Sequence, residues 1–194
     1  LCYSVFANDG MKVKPITIKY ITDSSGSLIE SNEPEAEEVI SPTTAFLITS
    51  MLEDVVQHGT GWRAKALGRP VAGKTGTTNE YRDAWFVGYT ANLTAAVWVG
   101  FDDTTPLGAL ETGARTASPI WVLFMKNVLT GPPEEFTVPE GIVVHTIDPA
   151  TGLLTKDESA GIQEYFKEGT EPKEFASSPS IRRMREKDTN LNFD

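Results

Sequence analysis

Cysteine is nearly absent from this sequence. Cys2 is the only one in 194 residues, so no disulfide can close within the chain. Reducing and oxidising compartments therefore both stay open. Histidine is almost as scarce: His58 and His145 stand alone, and no Cys/His cluster offers ligands to a metal. No apolar stretch approaches the length of a membrane span, and nothing at the start has the pattern of a signal peptide. Positive charge is in deficit, with 17 Lys and Arg against 27 Asp and Glu and a net charge of −10. That argues against nucleic acid as a partner and reads as a solvated acidic surface. Internal repeats are missing, and so is an initiator methionine. The chain opens on Leu1 in mid-pattern, which reads as a piece of something longer.

What is present suits a folded chain. Hydrophobic residues make up 40%, an ordinary share for a soluble domain with a core. The length allows one domain and a modest appendage. The densest chemistry lies in Ala72-Gly73-Lys74-Thr75-Gly76-Thr77-Thr78, which packs a cation, two glycines and three hydroxyls into seven residues. Two alternating apolar runs follow, Ala84 to Tyr89 and Leu93 to Phe101, joined by Thr90-Ala91-Asn92. They predict an antiparallel hairpin beside a polar strand. Alternate side chains share a face. Lys74 and Gly76 then share one face and Thr75 and Thr77 the other, unless a twist re-aims them. Such a strand at a sheet edge can pair its backbone with an extended ligand, while the ammonium and hydroxyls hold a carboxylate. Gly76 leaves room for a second backbone.

Two patterns fit these letters. Gly68-Arg69-Pro70-Val71-Ala72-Gly73-Lys74-Thr75 satisfies the nucleotide P-loop pattern. A P-loop needs a buried strand before the first glycine and a helix opening at the Lys-Thr. Trp62 to Leu67 carries two cations, and Gly76 with three polar residues follows Thr75, so neither flank fits. The second pattern is Lys74-Thr75-Gly76, the Lys-Thr-Gly element of penicillin-binding proteins and serine β-lactamases. Its surroundings agree. Gly59-Thr60-Gly61, Gly68 through Asn79, Asp83-Ala84-Trp85-Phe86-Val87-Gly88-Tyr89 and Val97-Trp98-Val99-Gly100-Phe101-Asp102 occur in family order. From about Tyr3 to about Pro172 the chain resembles the C-terminal half of the transpeptidase domain of class A, bifunctional penicillin-binding proteins.

Along the chain, Tyr3 to Phe6 predicts the end of a helix, and Ala7-Asn8-Asp9-Gly10 a turn. Ile16 to Ile21 alternates like a strand. Asp23-Ser24-Ser25-Gly26 is a turn signal, Ser27 to Ile29 a short return, and acidic Glu30 to Glu38 an exposed loop. Ser41-Pro42 predicts a helix start. Ala45, Ile48, Leu52, Val55 and Val56 form its core face, and Gly59 stands past its end. His58 in the last turn complements the helix dipole. Arg63, Lys65 and Arg69 form a small basic cluster. Asp102 to Ala117 reads as loop. Ser118-Pro119 predicts a second helix with Ile120, Leu123, Phe124 and Val128 as its apolar face, stopped by Gly131-Pro132-Pro133. Trp85, Trp98 and Trp121 are read as core residues of a sheet packed under a helix.

The best internal boundary follows at Pro132-Pro133-Glu134-Glu135. Ile142 to Ile147 alternates, Asp148 to Gly152 turns, and Leu153 to Thr155 can return. Residues 1–131 are thus expected to be the transpeptidase part, 132–176 a hairpin extension, and 177–194 a disordered tail. The resulting fold class is α/β (α+β): an antiparallel sheet with packing helices, part of the penicillin-binding transpeptidase fold, plus a small β-hairpin appendage.

The resemblance implies acyl transfer through a serine ester. A serine attacks the penultimate D-alanine of a peptidoglycan stem peptide, terminal D-alanine leaves, and an amine of a neighbouring stem takes the acyl group. β-Lactams intercept the serine. The family places that serine in Ser-x-x-Lys and a further hydroxyl in Ser-x-Asn, and neither spacing occurs in this sequence. The remaining wall of the site would then be Lys74, supplying charge and sharing a proton-relay network; Thr77, with a hydroxyl for the terminal carboxylate and an N–H for the oxyanion; Thr75, a further carboxylate ligand; Gly76, clearing room; and Thr78. On alternation alone Thr75 can point away from the ligand. No metal and no cofactor are expected. The expected partners are peptidoglycan stem peptide, β-lactams and the rest of the same protein: an upstream glycosyltransferase, the Ser-x-x-Lys half and a membrane anchor on the periplasmic face of a bacterial inner membrane. The other readings are a non-catalytic interaction module on the same fold and, remotely, the nucleotide-binding P-loop.

Overall fold

The computed structural model describes residues 1–176. The tail expected to be disordered lies outside them. The described chain divides by contacts into a unit of Leu1–Val138 and a unit from Pro139 onward.

The first unit opens with α1 (Cys2–Ala7), whose Val5 carbonyl accepts the amides of Asn8 and Gly10 as the chain turns. β1 (Met11–Val13) follows, then an exposed hairpin of β2 (Tyr20–Thr22) and β3 (Leu28–Ser31). The Asp23 carboxylate accepts the amides of Ser25 and Ser27 and so builds the predicted turn. The strand expected over Ile16 to Ile21 begins only at Tyr20. The acidic stretch read as loop contains β4 (Ala36–Glu38), antiparallel to β1. Lys12 meets Glu37 across this pair at 2.7 Å. Facing lysines offset the glutamates, so composition alone hid the strand.

α2 (Pro42–Gln57) starts as Ser41 and Pro42 predict: the Ser41 hydroxyl accepts the Thr44 amide at 3.3 Å. Its buried residues are Ala45, Phe46, Thr49 and Val56. The stripe therefore lies partly to one side of the expected one. His58 closes on Asp54 at 2.6 Å. A 3₁₀ turn over Trp62–Leu67 ends at Gly68, whose φ of 72° is left-handed. The strand and helix that a P-loop requires are both absent from this stretch, because Lys74 and Thr75 lie within β5 (Ala72–Thr77). The nucleotide reading is therefore overturned.

β5, β6 (Asp83–Tyr89) and β7 (Thr94–Gly100) form an antiparallel sheet in the order β5-β6-β7. Register places Thr75 opposite Phe86 and Thr77 opposite Ala84, so these side chains share a face. That face carries the core: Ala84, Phe86, Ala117, Trp121, Val122 and Met125 are buried together. Phe86 meets Trp121 edge-on at 5.1 Å between ring centres. The opposite face carries Lys74, Gly76, Trp85, Val87, Tyr89 and Trp98. Tyr89 is buried there beneath Tyr3 and Phe136, and its hydroxyl bonds Thr49. Burial pushes the Tyr89 phenol up to about 12.

The loop expected over Asp102 to Ala117 ends in a π-helical turn, Gly113–Ala117, which runs straight into α3 (Ser118–Val128). Thr112, not Ser118, caps this composite helix, accepting the Arg115 amide. α3 buries Ser118, Trp121, Val122 and Met125. The expected apolar face of Ile120, Leu123, Phe124 and Val128 is exposed instead. The helix is apolar on two sides, so its periodicity could not say which side meets the sheet. After α3 the stretch to Val138 remains with the first unit.

In the second unit β8 (Ile142–Ile147) pairs antiparallel with β9 (Ile162–Lys167). The return expected at Leu153 to Thr155 forms no strand: Leu154 makes only isolated bridges, to Ile147 and to Phe175. The Asp148 carboxylate accepts the Ala150 amide in the turn that precedes it.

Candidate active site

β5 has a strand partner on one edge only among the described residues. The direction of its free groups follows from one hydrogen bond. The Thr78 amide donates to the Asp83 carbonyl at 3.1 Å, closing the β5–β6 turn. In an antiparallel ladder, bonded and non-bonded residues alternate. Gly76 and Lys74 therefore bond inward to β6, and the amides and carbonyls of Thr77 and Thr75 face the free edge. The Lys74 ammonium agrees, since it donates to the Thr75 carbonyl at 3.0 Å.

Lys74 is exposed, and among the described residues no carboxylate lies within ion-pair distance of it. Its charge is therefore available to a ligand. Thr75 is half-buried, and its hydroxyl lies 2.7 Å from that of Thr60, in the glycine-flanked loop after α2. The Thr77 hydroxyl accepts the Gly113 amide at 3.0 Å. A threonine hydroxyl has one proton and two lone pairs. Thr77 thus keeps its O–H proton to donate, and the Thr60–Thr75 pair keeps one of its two.

Gly76 and Gly113 explain how the edge is held. A Cβ on Gly113 would stand 2.5 Å from the Gly76 carbonyl oxygen and 2.2 Å from that of Trp85. Only glycine lets the π-turn sit this close to the strand. A Cβ on Gly76 would press Trp85 Cβ at 3.1 Å. Thr78 is committed differently. Its hydroxyl donates to the Asp83 carboxylate at 3.0 Å and accepts the Asp83 amide at 2.8 Å. The other Asp83 oxygen accepts the Trp98 indole N–H at 3.0 Å. Asp83 therefore ties the end of β5 to β6 and β7.

The structure thus brings Lys74, Thr75, Gly76 and Thr77 together on one strand, three of them offering donors to its free edge, with Thr78 at the turn. Sequence reasoning missed Thr60, Gly113 and Asp83 as supports. The only local signal was their presence in glycine-flanked or motif-bearing stretches. Trp85 and Trp98 were expected in the core, yet are 41% and 44% exposed. Strand alternation puts them opposite Phe86, on the face that α3 does not cover.

A family profile described as the penicillin binding protein transpeptidase domain matches residues 2–123. The chain belongs to the penicillin-binding protein transpeptidase family. A second profile, the C-terminal domain of penicillin-binding protein 1A, matches residues 138–178. Penicillin-binding protein 1A of Aquifex aeolicus is 43% identical over 171 residues, covering 88% of this chain and 24% of that protein. The crystal structure of penicillin-binding protein 1A from Haemophilus influenzae matches with a TM-score of 0.84 at 34% identity, covering 90% of this chain and 32% of that one. The D,D-transpeptidase domain of a peptidoglycan glycosyltransferase from Eggerthella lenta matches 64% of the chain with a TM-score of 0.53 at 29% identity. The chain thus spans about a quarter of the length of its curated relative from Aquifex aeolicus. Among the described residues no helix is long and apolar enough to cross a membrane.

Proposed function

We propose that this chain supplies one wall of the active site of a serine D,D-transpeptidase that cross-links peptidoglycan stem peptides and is acylated by β-lactams. The observation that carries the reading is the free edge of β5, which presents the Thr77 amide and, beside the Thr75 carbonyl, a Lys74 ammonium with no carboxylate partner among the described residues. In this reading the edge pairs with the stem peptide as an added strand. Lys74 and the Thr75 and Thr77 hydroxyls hold the terminal carboxylate, and Gly76 admits the ligand backbone. The Thr77 N–H receives the oxyanion that forms when serine attacks the penultimate D-alanine carbonyl. D-Alanine leaves with a proton, and a neighbouring amine then displaces the serine oxygen. Thr78 acts through Asp83 by holding the strand end in place.

The nucleophilic serine and its lysine base come, in this reading, from a part of the protein outside this chain, because Ser-x-x-Lys and Ser-x-Asn spacings do not occur in it. The chain alone is then inactive. The rest of the protein brings a glycosyltransferase and a membrane anchor, with the site on the periplasmic face of a bacterial inner membrane. Residues 1–131 serve the transpeptidase and 132–176 an extension of it.

A reporter penicillin with denaturing intact-mass readout tests this. The full-length protein should carry one penicilloyl adduct, on a serine outside this chain, and the isolated chain none. An unlabelled full-length protein would instead favour a non-catalytic interaction module. An adduct on this chain would place the nucleophile here and refute the division of labour.

A further inference from the structure

Charge is unevenly distributed in the first unit. From Val55 to Asn79 there is no Asp or Glu, in a chain that carries 27 of them. Arg63, Lys65, Arg69 and Lys74 all fall in that stretch. Among the described residues none of the four has a carboxylate within ion-pair distance, whereas Lys12, Lys14, Arg82 and Arg115 are each paired. Lys65 and Arg69 donate to the Gln57 and Gly131 carbonyls, which hold them without neutralising them. Arg63 is held differently. Its guanidinium lies over the indole of Trp62, 4.4 Å from the ring centre, and Trp62 is itself 51% exposed. A guanidinium stacked on an aromatic face keeps its N–H edges free for a carboxylate. Resting on the function proposed above, we infer that Arg63, set on Trp62, binds a carboxylate of the acceptor stem peptide, the one whose amine takes the acyl group.

The order of the chemistry gives the position. Terminal D-alanine leaves first and takes its carboxylate away from Lys74 and Thr75. The acceptor amine then bonds to the carbonyl carbon that the D-alanine nitrogen left, so it enters through the place D-alanine vacated. As that bond forms, the bond to the serine oxygen breaks, and the oxygen takes the proton that the amine gives up. The rest of the acceptor extends outward past the Lys74 and Thr75 end of the edge. There the Thr75 hydroxyl lies 2.7 Å from that of Thr60, and Trp62 follows Thr60 by two residues, about 7 Å of chain. The Trp62–Arg63 pair therefore stands beside the acceptor's way in. A stem peptide carries free carboxylates, and a positive patch on an otherwise acidic chain both draws it in and orients it.

The test measures acyl transfer by the full-length protein from a D-alanyl thioester donor to two acceptors. One is a synthetic stem tripeptide with a diamino acid as its third residue and its carboxylates free. The other is the same tripeptide with the carboxylates amidated. The reading is the ratio of the two transfer products, taken by mass on each variant, and melting temperatures show that each variant is folded. The wild type should favour the free carboxylates. Arg63→Glu should lower that preference about fivefold and Trp62→Ala about twofold, the range of a partly exposed charge pair. Arg63→Lys keeps the charge without the planar fork and should fall between wild type and Arg63→Glu. Lys126→Glu makes the same change of net charge at an exposed position on α3 and should leave the preference in place. No preference in the wild type, an unmoved preference in Arg63→Glu, or an equal loss in Lys126→Glu overturns the acceptor site. If the thioester fails to acylate the wild-type protein, the transpeptidase reading itself falls and takes this inference with it. The two failures are therefore distinct.

Discussion

The two faces of the β5-β6-β7 sheet are made by the same strands and fare differently. On one face Phe86 and Ala84 are fully buried beneath Trp121. On the other, one residue along, Trp85 and Trp98 stand open at 6.3 Å between ring centres. Tryptophan is the larger hydrophobe, yet here it is the exposed one. Burial in a sheet is decided by what packs on each face, not by the side chain's own preference. In this chain α3 and the π-turn cover the Phe86 face. The Lys74 side chain lies on the same face as Trp85, at the strand edge where the proposed chemistry occurs.

Five substitutions break or sharpen the contrast, beginning with the largest. Phe86→Ala should cost about 3–5 kcal/mol and Trp85→Ala less than about 1 kcal/mol, because only the first opens a cavity. Denaturant unfolding of the chain compares them, and equal costs would erase the asymmetry. Lys74→Ala should slow penicillin acylation of the full-length protein about 10²–10³-fold while leaving the unfolding midpoint in place. A wild-type acylation rate would remove Lys74 from the site. Gly113→Ala should cost about 1–3 kcal/mol through its clash with the Trp85 and Gly76 carbonyls. It should also slow acylation, since Thr77 loses its tether. Unchanged kinetics would separate the π-turn from the edge it holds.

The smallest effect concerns Glu53 on α2. Burial, and then the nearby Glu135, push its carboxyl up to about 7 from an ordinary 4.5. The native state therefore binds more protons than the unfolded one between those values, and this contribution to stability is lost as pH rises through about 7. Glu53→Gln should flatten that loss and stabilise the chain at pH 8 by under about 1 kcal/mol, since solvent screens a half-buried group. Melting temperatures at pH 5 and pH 8 check the sign. A larger pH dependence in the variant would contradict it.

Where local rules suffice, the sequence was readable. Ser41-Pro42 opened a helix, Asp23 built a turn, and the two runs after Lys74 formed a hairpin with its polar neighbour strand. Capping, side-chain turns and period-two alternation act over a few residues. β4 was missed because its Glu37 is offset by Lys12 of β1, more than twenty residues away. Thr60 and Gly113 were missed as supports because each meets β5 only after the chain has folded back. The exposed stripe on α3 was misassigned because a helix apolar on two sides does not say which side meets the sheet.

The amino-acid order alone therefore settled the family, the polar strand and the alternation that separates Lys74 from Thr75. Each depends on neighbours in the chain. Tertiary packing decided which edge of β5 stays free, which hydroxyls are tethered to Thr60, Gly113 and Asp83, and which face of the sheet is dry. Those depend on groups brought together from distant positions, and a pairing, close contact or burial across such a distance leaves no periodic trace in either segment.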